Sequence, residues 1–173
     1  MKSFRGLLLI LSAVLIPGLA LGQSLEDTLE SDGWYSWRVT ALADAREWCC
    51  YTWSGGVSLK TSCPLNGHHR SQRVDSYSDT RNQPGPGDQI QIYALIEDRK
   101  LKQLTTLSAS CSVDSDQGWT DLGQLETAQS LDWLTHVASQ TNSLDSELTA
   151  AIAMHAGAQS LAELKHMART GAR

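Results

Sequence analysis

The chain has 173 residues, 14 Lys and Arg against 19 Asp and Glu, and 41% hydrophobic content. That length suits one ordinary domain or two small ones. A formal net charge of −5 argues against nucleic acid, which draws basic patches, and against anionic membrane surfaces.

Residues 1–22 are laid out as a secretory signal peptide. Lys2 and Arg5 precede an apolar run from Leu7 to Ile16, Pro17-Gly18 breaks any helix, and Ala20-Leu21-Gly22 offers small residues before Gln23. The run is shorter than the ~18 apolar residues that span a bilayer, and no cysteine follows it to carry a lipid. The expectation is an exported protein, periplasmic or extracellular, with no membrane insertion after cleavage. Losing Lys2 and Arg5 leaves 12 basic against 19 acidic residues, a net charge of −7.

Residues 23–122 read as a Cys/Trp-rich β-domain. Gln23 to Asp32 is a polar lead-in. Trp34-Tyr35-Ser36-Trp37-Arg38-Val39 mixes aromatic and β-branched residues, as strands do. Trp48-Cys49-Cys50-Tyr51-Thr52-Trp53 is a second strand, closed by the turn signal Ser54-Gly55-Gly56, with Val57 to Cys63 returning. Asn66 to Asp88 is polar, ends in Pro84-Gly85-Pro86-Gly87, and reads as a long surface loop. A hairpin follows. Ile90, Ile92, Ala94 and Ile96 alternate onto one face, Glu97 to Lys100 turns, and Leu101 to Val113 returns with Leu104 and Leu107 on opposite faces.

Past Gly118-Trp119 the period lengthens to that of a helix, and residues 123–173 read as helical. Thr127 is placed as the cap of a helix to about Ser139 with Leu131 and Leu134 on its stripe. Asn142 caps a second helix carrying Leu148, Ile152 and His155 to Gly157, and a third carries Leu161, Leu164 and Ala168 to Gly171. A lone helical hairpin leaves one apolar side open. Either it packs back on the β-half or the chain opens a longer repeat protein, and the second is the expectation.

The fold class is therefore α+β: a disulfide-stapled antiparallel β-region followed by C-terminal HEAT-like α-helices. Four cysteines behind a leader read as two disulfides. Adjacent strand residues face opposite ways, so Cys49 and Cys50 take different partners. Either Cys50 pairs with Cys63 and Cys49 with Cys111, or the two exchange; a vicinal Cys49–Cys50 bridge ranks last.

Sharper chemistry at the same place is the competing reading. Cys49, Cys50 and Cys63 with His68 and His69 could supply soft metal ligands, but zinc knuckles space their cysteines two to four apart. A dithiol switch lacks a Cys-x-x-Cys. Asp114-Ser115-Asp116-Gln117-Gly118 opens like a calcium loop without the closing glutamate, and reads as a turn. His155 reads as a hydrogen-bonded packing histidine. Trp34, Trp37, Trp48 and Trp53 read first as core; left exposed, they would form a binding surface, with Trp34, Trp37 and Trp53 the candidates for it. No catalytic residue, cofactor or metal ligand is assigned.

Glu47-Trp48-Cys49-Cys50-Tyr51 with Cys63, Ser110-Cys111-Ser112-Val113-Asp114, Trp119, Leu131-Asp132-Trp133-Leu134 and Ala150 to Ala156 is similar, as a pattern, to exported bacterial proteins in which a cysteine-bearing β-region precedes HEAT or armadillo helices. The resemblance implies an architecture and no reaction. The function expected is a non-enzymatic interaction or scaffold protein that meets another protein in the cell envelope. The alternative is a periplasmic thiol-redox or metal-binding protein using the Cys49/Cys50 cluster.

Overall fold

A computed structural model describes residues 24–43, 47–66, 88–141 and 144–170, the Trp53 and Asp145 side chains excepted. The expected signal peptide, His68 and His69, most of the expected 66–88 loop, and the expected Asn142 cap and Gly171 stop lie outside the described residues.

The chain is α+β. Its centre is a four-stranded mixed sheet of β1 (Gly33–Thr40), β5 (Gln89–Glu97), β6 (Lys100–Ser108) and β8 (Thr120–Gln124), in the order β6-β5-β1-β8. β1 runs antiparallel to β5, with Trp37 opposite Ile92 and Val39 opposite Ile90. β5 and β6 form the expected hairpin, turned by Asp98 and Arg99, both at positive φ (52° and 58°). Two residues in that region match the twist of a two-residue hairpin turn. The return strand stops at Ser108, short of the expected Val113. Ala109-Ser110 turns the chain, and the Cys111 amide donates to the Ser108 carbonyl at 2.9 Å.

Two short pairs complete the β-half. β2 (Cys50–Ser54) and β3 (Val57–Thr61) make a two-stranded antiparallel ribbon, turned at Gly55 and Gly56, both at positive φ. β4 (Cys63–Pro64) runs parallel to β7 (Val113–Asp114). Gln117 and Gly118 lie in the turn expected after that strand, with the Gln117 amide on the Ser115 hydroxyl.

β8 corrects the expectation of an all-antiparallel region. It pairs parallel to β1, with Tyr35 opposite Thr120 and Ser36 opposite Asp121. The stretch Thr-Asp-Leu-Gly-Gln carries one large apolar residue because it is an edge strand, half open to water, so alternation is absent. The lead-in also hides an element. α1 (Leu25–Thr28), capped by the Ser24 hydroxyl on the Asp27 amide, buries Leu25 and the following Leu29.

The helices are α2 (Thr127–Gln140), α3 (Asp145–Met154) and α4 (Ala158–Thr170). Thr127 is the first helical residue of α2, not its cap; Glu126 occupies the cap with no side-chain bond. α3 ends at Met154, three residues before Gly157, because His155 turns extended to bridge Ala41 beyond β1. On α4 the expected stripe is displaced. Leu161 is 53% exposed and Ala168 is exposed, while Ser160 is buried and Leu164 and Met167 pack inward.

The helical part packs on the β-half. One buried cluster holds Trp37, Val39, Ile90, Ile92, Ala94 and Leu104 of the sheet together with Leu131, Leu134, Leu148 and Ile152 of the helices. The boundary drawn at residue 122 therefore does not separate two cores. The other sheet face carries a smaller cluster: Trp34, Tyr93 and Leu107 under Cys63 and Leu65, with Cys50 and Cys111 at its margin. The sheet is thus covered by helices on one side and by the cysteine segments on the other.

Candidate functional site

All four cysteines are bonded, Cys49 to Cys111 and Cys50 to Cys63, with Cα separations of 5.4 and 5.3 Å. Of the two non-vicinal schemes, this is the one in which Cys50 takes Cys63 and Cys49 takes Cys111. Cys63 is fully buried on the smaller core while Cys49, Cys50 and Cys111 are partly covered. β4 holds Cys63 in place through its amide on the Ser112 carbonyl and the Leu65 amide on the Asp114 carbonyl, at 2.9 and 2.8 Å. Among the described residues no three His, Cys, Asp or Glu side chains converge as a metal site.

A polar brace lies beside the long bridge. The Glu47 carboxylate accepts from Lys60 at 2.7 Å, from the Ser110 hydroxyl and from Tyr51 at 3.3 Å, joining the β2–β3 ribbon to the turn before Cys111. Burial alone would raise the Glu47 carboxyl. The bonds from Lys60 and Ser110 outweigh it and hold the group below its ordinary value. Trp48 is anchored by its backbone: its amide donates to the Ser108 hydroxyl at 2.8 Å and its carbonyl accepts from the Ser108 amide at 3.0 Å.

The brace and bridges hold an outward ribbon. In the β2–β3 register Ser54 faces Val57 and Thr52 faces Leu59. Both apolar members are open to solvent, Val57 at 58% and Leu59 at 50%, and Trp48 at the base of the ribbon is 49% exposed. Trp34 and Trp37, expected as a binding surface if exposed, are core residues at 3% and 0%, one on each side of the sheet. Alternation along β1 gives each a covered face. The Trp53 side chain lies outside the described residues.

Among the described side chains the exposed tryptophans are Trp48 and Trp119, each lying just ahead of a strand, where the backbone does not commit the ring to a covered face. Trp119 meets Tyr93 edge-to-face, ring centres 5.5 Å apart, and borders a shallow open depression with Gly33, Trp34, Gln117 and Thr120. Tyr93 is pushed up to about 12 by burial and by the Asp121 carboxylate, so it stays protonated. On this face Ser36 is fully buried, accepting from Gln91 at 2.9 Å and reaching Asp121 at 3.5 Å. No histidine stands beside it among the described residues.

Among the described residues a serine–histidine pair lies on the other side of the sheet. Ser130 Oγ is 2.9 Å from His155 Nε2, and His155 Nδ1 is 2.7 Å from the Ala151 carbonyl. This is hydrogen-bond reach for a nucleophile and its base. Both residues are nevertheless fully buried, and Ser130 Oγ also accepts from Trp37 Nε1 at 2.8 Å. The pair is a packing network, as expected of His155; its serine partner carried no motif in the sequence. Comparison of the chain with protein-family models, curated proteins and solved structures finds no match to any of them. Among the described residues no helix is long and apolar enough to cross a membrane.

Proposed function

We propose that this chain is an exported, non-enzymatic interaction module whose contact surface is the disulfide-held β2–β3 ribbon. One observation carries the reading. Two bridges and the Glu47 brace hold a ribbon that displays Val57, Leu59 and Trp48 to solvent. Covalent anchoring of an otherwise marginal two-stranded ribbon fits a surface that must keep its shape for a partner, since pre-ordering lowers the cost of association. Scattered exposed apolar residues are ordinary; here they share one small element with a tryptophan at its base.

Two disulfides suit the oxidising cell envelope, in line with the leader at residues 1–22. The net charge of −7 after its removal favours a neutral or basic protein partner. On this reading α2–α4 are HEAT-type helices that cover the sheet, and the ribbon does the binding. The thiol-redox alternative would use a bridge at Cys49 or Cys50 as its reducible pair; the partners are separate, Cys111 and Cys63, and Cys63 is fully buried, which favours a structural role.

The test places a photo-reactive amino acid at Thr52, on the face of Leu59, in cells exporting the protein. One discrete envelope adduct is expected, and the Val57→Asp/Leu59→Asp variant, folded to within a few degrees of the parent Tm, should lose it. Adducts unchanged by those substitutions would overturn the ribbon as the contact. Catalysed oxidation of a dithiol substrate, or reduction of a disulfide one, by the purified protein would overturn the non-enzymatic reading.

A further inference from the structure

His155 sits where the chain reverses between α3 and α4, and this corner is tied to the end of β1. The Leu42 amide donates to the Met154 carbonyl at 2.9 Å and the Ala156 amide to the Thr40 carbonyl at 3.0 Å, flanking the Ala41–His155 bridge. The Ser160 hydroxyl donates to the His155 carbonyl at 3.1 Å. The side chain turns inward and is fully buried.

The proton positions around the ring follow from the partners. A carbonyl only accepts, so Nδ1 carries the hydrogen toward Ala151. A tryptophan Nε1 only donates, so Ser130 Oγ accepts from Trp37 and gives its own hydrogen to Nε2. Every site in the chain Trp37–Ser130–His155–Ala151 is filled by a neutral imidazole. A second ring proton, on Nε2, would meet the Ser130 hydrogen head-on, and turning that hydroxyl away strands its hydrogen in the apolar core.

Among the described side chains no counter-charge faces the ring. β1 presents the Trp37 indole, α2 the Ser130 hydroxyl, α3 the Ala151 carbonyl, and α4 the Ser160 hydroxyl to the backbone. The described charged side chains of these elements stand elsewhere. Arg38 pairs with Asp121 on the opposite face of the sheet; Asp132 and His136 of α2 and Glu147 of α3 are exposed. On α4, Lys165, His166 and Arg169 are exposed and Glu163 is only partly covered. A charged imidazole here is desolvated and unpaired, the costliest state for a buried group.

We propose that His155 is a proton-operated catch: protonation undocks the α3–α4 corner from the end of β1 while the disulfide-held side of the sheet stays folded. The helices are held to the sheet only by non-covalent contacts, whereas the opposite face is cross-linked at two points. The corner is therefore the part free to leave. Opening separates Leu148 and Ile152 of α3 from the cluster they share with the sheet, exposing apolar surface that the neutral-pH form conceals.

Burial holds the ring below its ordinary value of 6.5, only partly opposed by the bond to Ala151. The open corner then binds the extra proton and the closed one does not. Closure is fully favoured above about pH 6.5 and weakens by up to about tenfold per pH unit below it, until the folded ring itself titrates.

Amide exchange of the oxidised, full-length protein, corrected for intrinsic chemistry, tests this at about pH 7.5 and about pH 5. Protection in residues 40–42 and 156–170 is expected to fall about tenfold or more while β2, β3 and β5 hold theirs. His155→Gln, which cannot charge, should abolish the difference. If that variant does not fold, ring nitrogen spectra of the parent decide: His155 should carry its proton on Nδ1 at neutral pH and titrate with the loss of protection. Equal loss across strands and helices, the same pH response in the variant, or ring titration without a change in exchange would each overturn the proposal.

Discussion

The two faces of the central sheet are held by different means. The helix side buries a run of large side chains, Trp37, Ile92, Leu131, Leu134, Leu148 and Ile152, each fully buried, with Trp37 and Trp133 edge-to-face at 5.4 Å. The cysteine side has five buried members, one of them Cys63, under segments of two to five residues that could not remain ordered alone. Where apolar area is ample the layer needs no covalent tie. Where it is scarce, cross-links that restrict the unfolded chain supply the difference, as they do in small exported domains.

Removing covalent ties from one side should expose this asymmetry most strongly. Cys49→Ala/Cys111→Ala opens a loop of 62 residues and is expected to cost about 4 kcal/mol in urea unfolding; opening the 13-residue loop through Cys50→Ala/Cys63→Ala should cost about 3. Both losses should appear first as lost exchange protection in β2 and β3. On the helix side Leu134→Ala, at a fully buried position, should cost about 3 kcal/mol through its cavity, and protection should go first from α2. If the bridge variants instead loosened the helices first, the two sides would not be separately held.

Smaller perturbations sharpen the contrast. Ser130→Ala orphans both Trp37 Nε1 and His155 Nε2 and should cost about 2 kcal/mol, read as a lower urea midpoint. Acid should act on the two sides in different windows. The helix side weakens as pH falls below about 6.5, the ordinary value of the lowered His155. The Glu47 brace, also held below its ordinary 4.5, contributes fully above that value and is lost only as pH falls beneath it. Because Lys60 is partly exposed, Glu47→Gln should cost less than about 1 kcal/mol. Least of all, Arg99→Gly should raise stability by about 0.5 kcal/mol, because glycine accepts the 58° φ without strain.

Much of this was legible where burial imposes a period. Ile90, Ile92, Ala94 and Ile96 show one covered face, and the adjacent pair Cys49-Cys50 implies two distant partners, because strand geometry leaves little choice. β8 was not legible because an edge strand half in water needs no alternation, and α1 because two leucines inside an acidic stretch make too short a pattern. The identity of the exposed rings was hidden as well. Trp34 and Trp48 look alike in sequence; only the strand start at Gly33, against the one at Cys50, buries the first and leaves the second outside. Ser130 escaped notice because a serine in a helix shows its importance only through what lies across the core.

The parallel pairing of β1 with β8 has a kinetic side. β1 is the first strand of the described chain and a central one, yet its two neighbours begin at residues 89 and 120. Until both exist, its row of amides and carbonyls and the rings of Trp34 and Trp37 have no permanent partner. Such distant pairings slow folding, since each must close a long loop before it is rewarded. A chain emerging from its N-terminus therefore carries this strand and its two tryptophans uncovered for longest, and at that stage its safety from aggregation rests on whatever shields β1 until the last strand arrives.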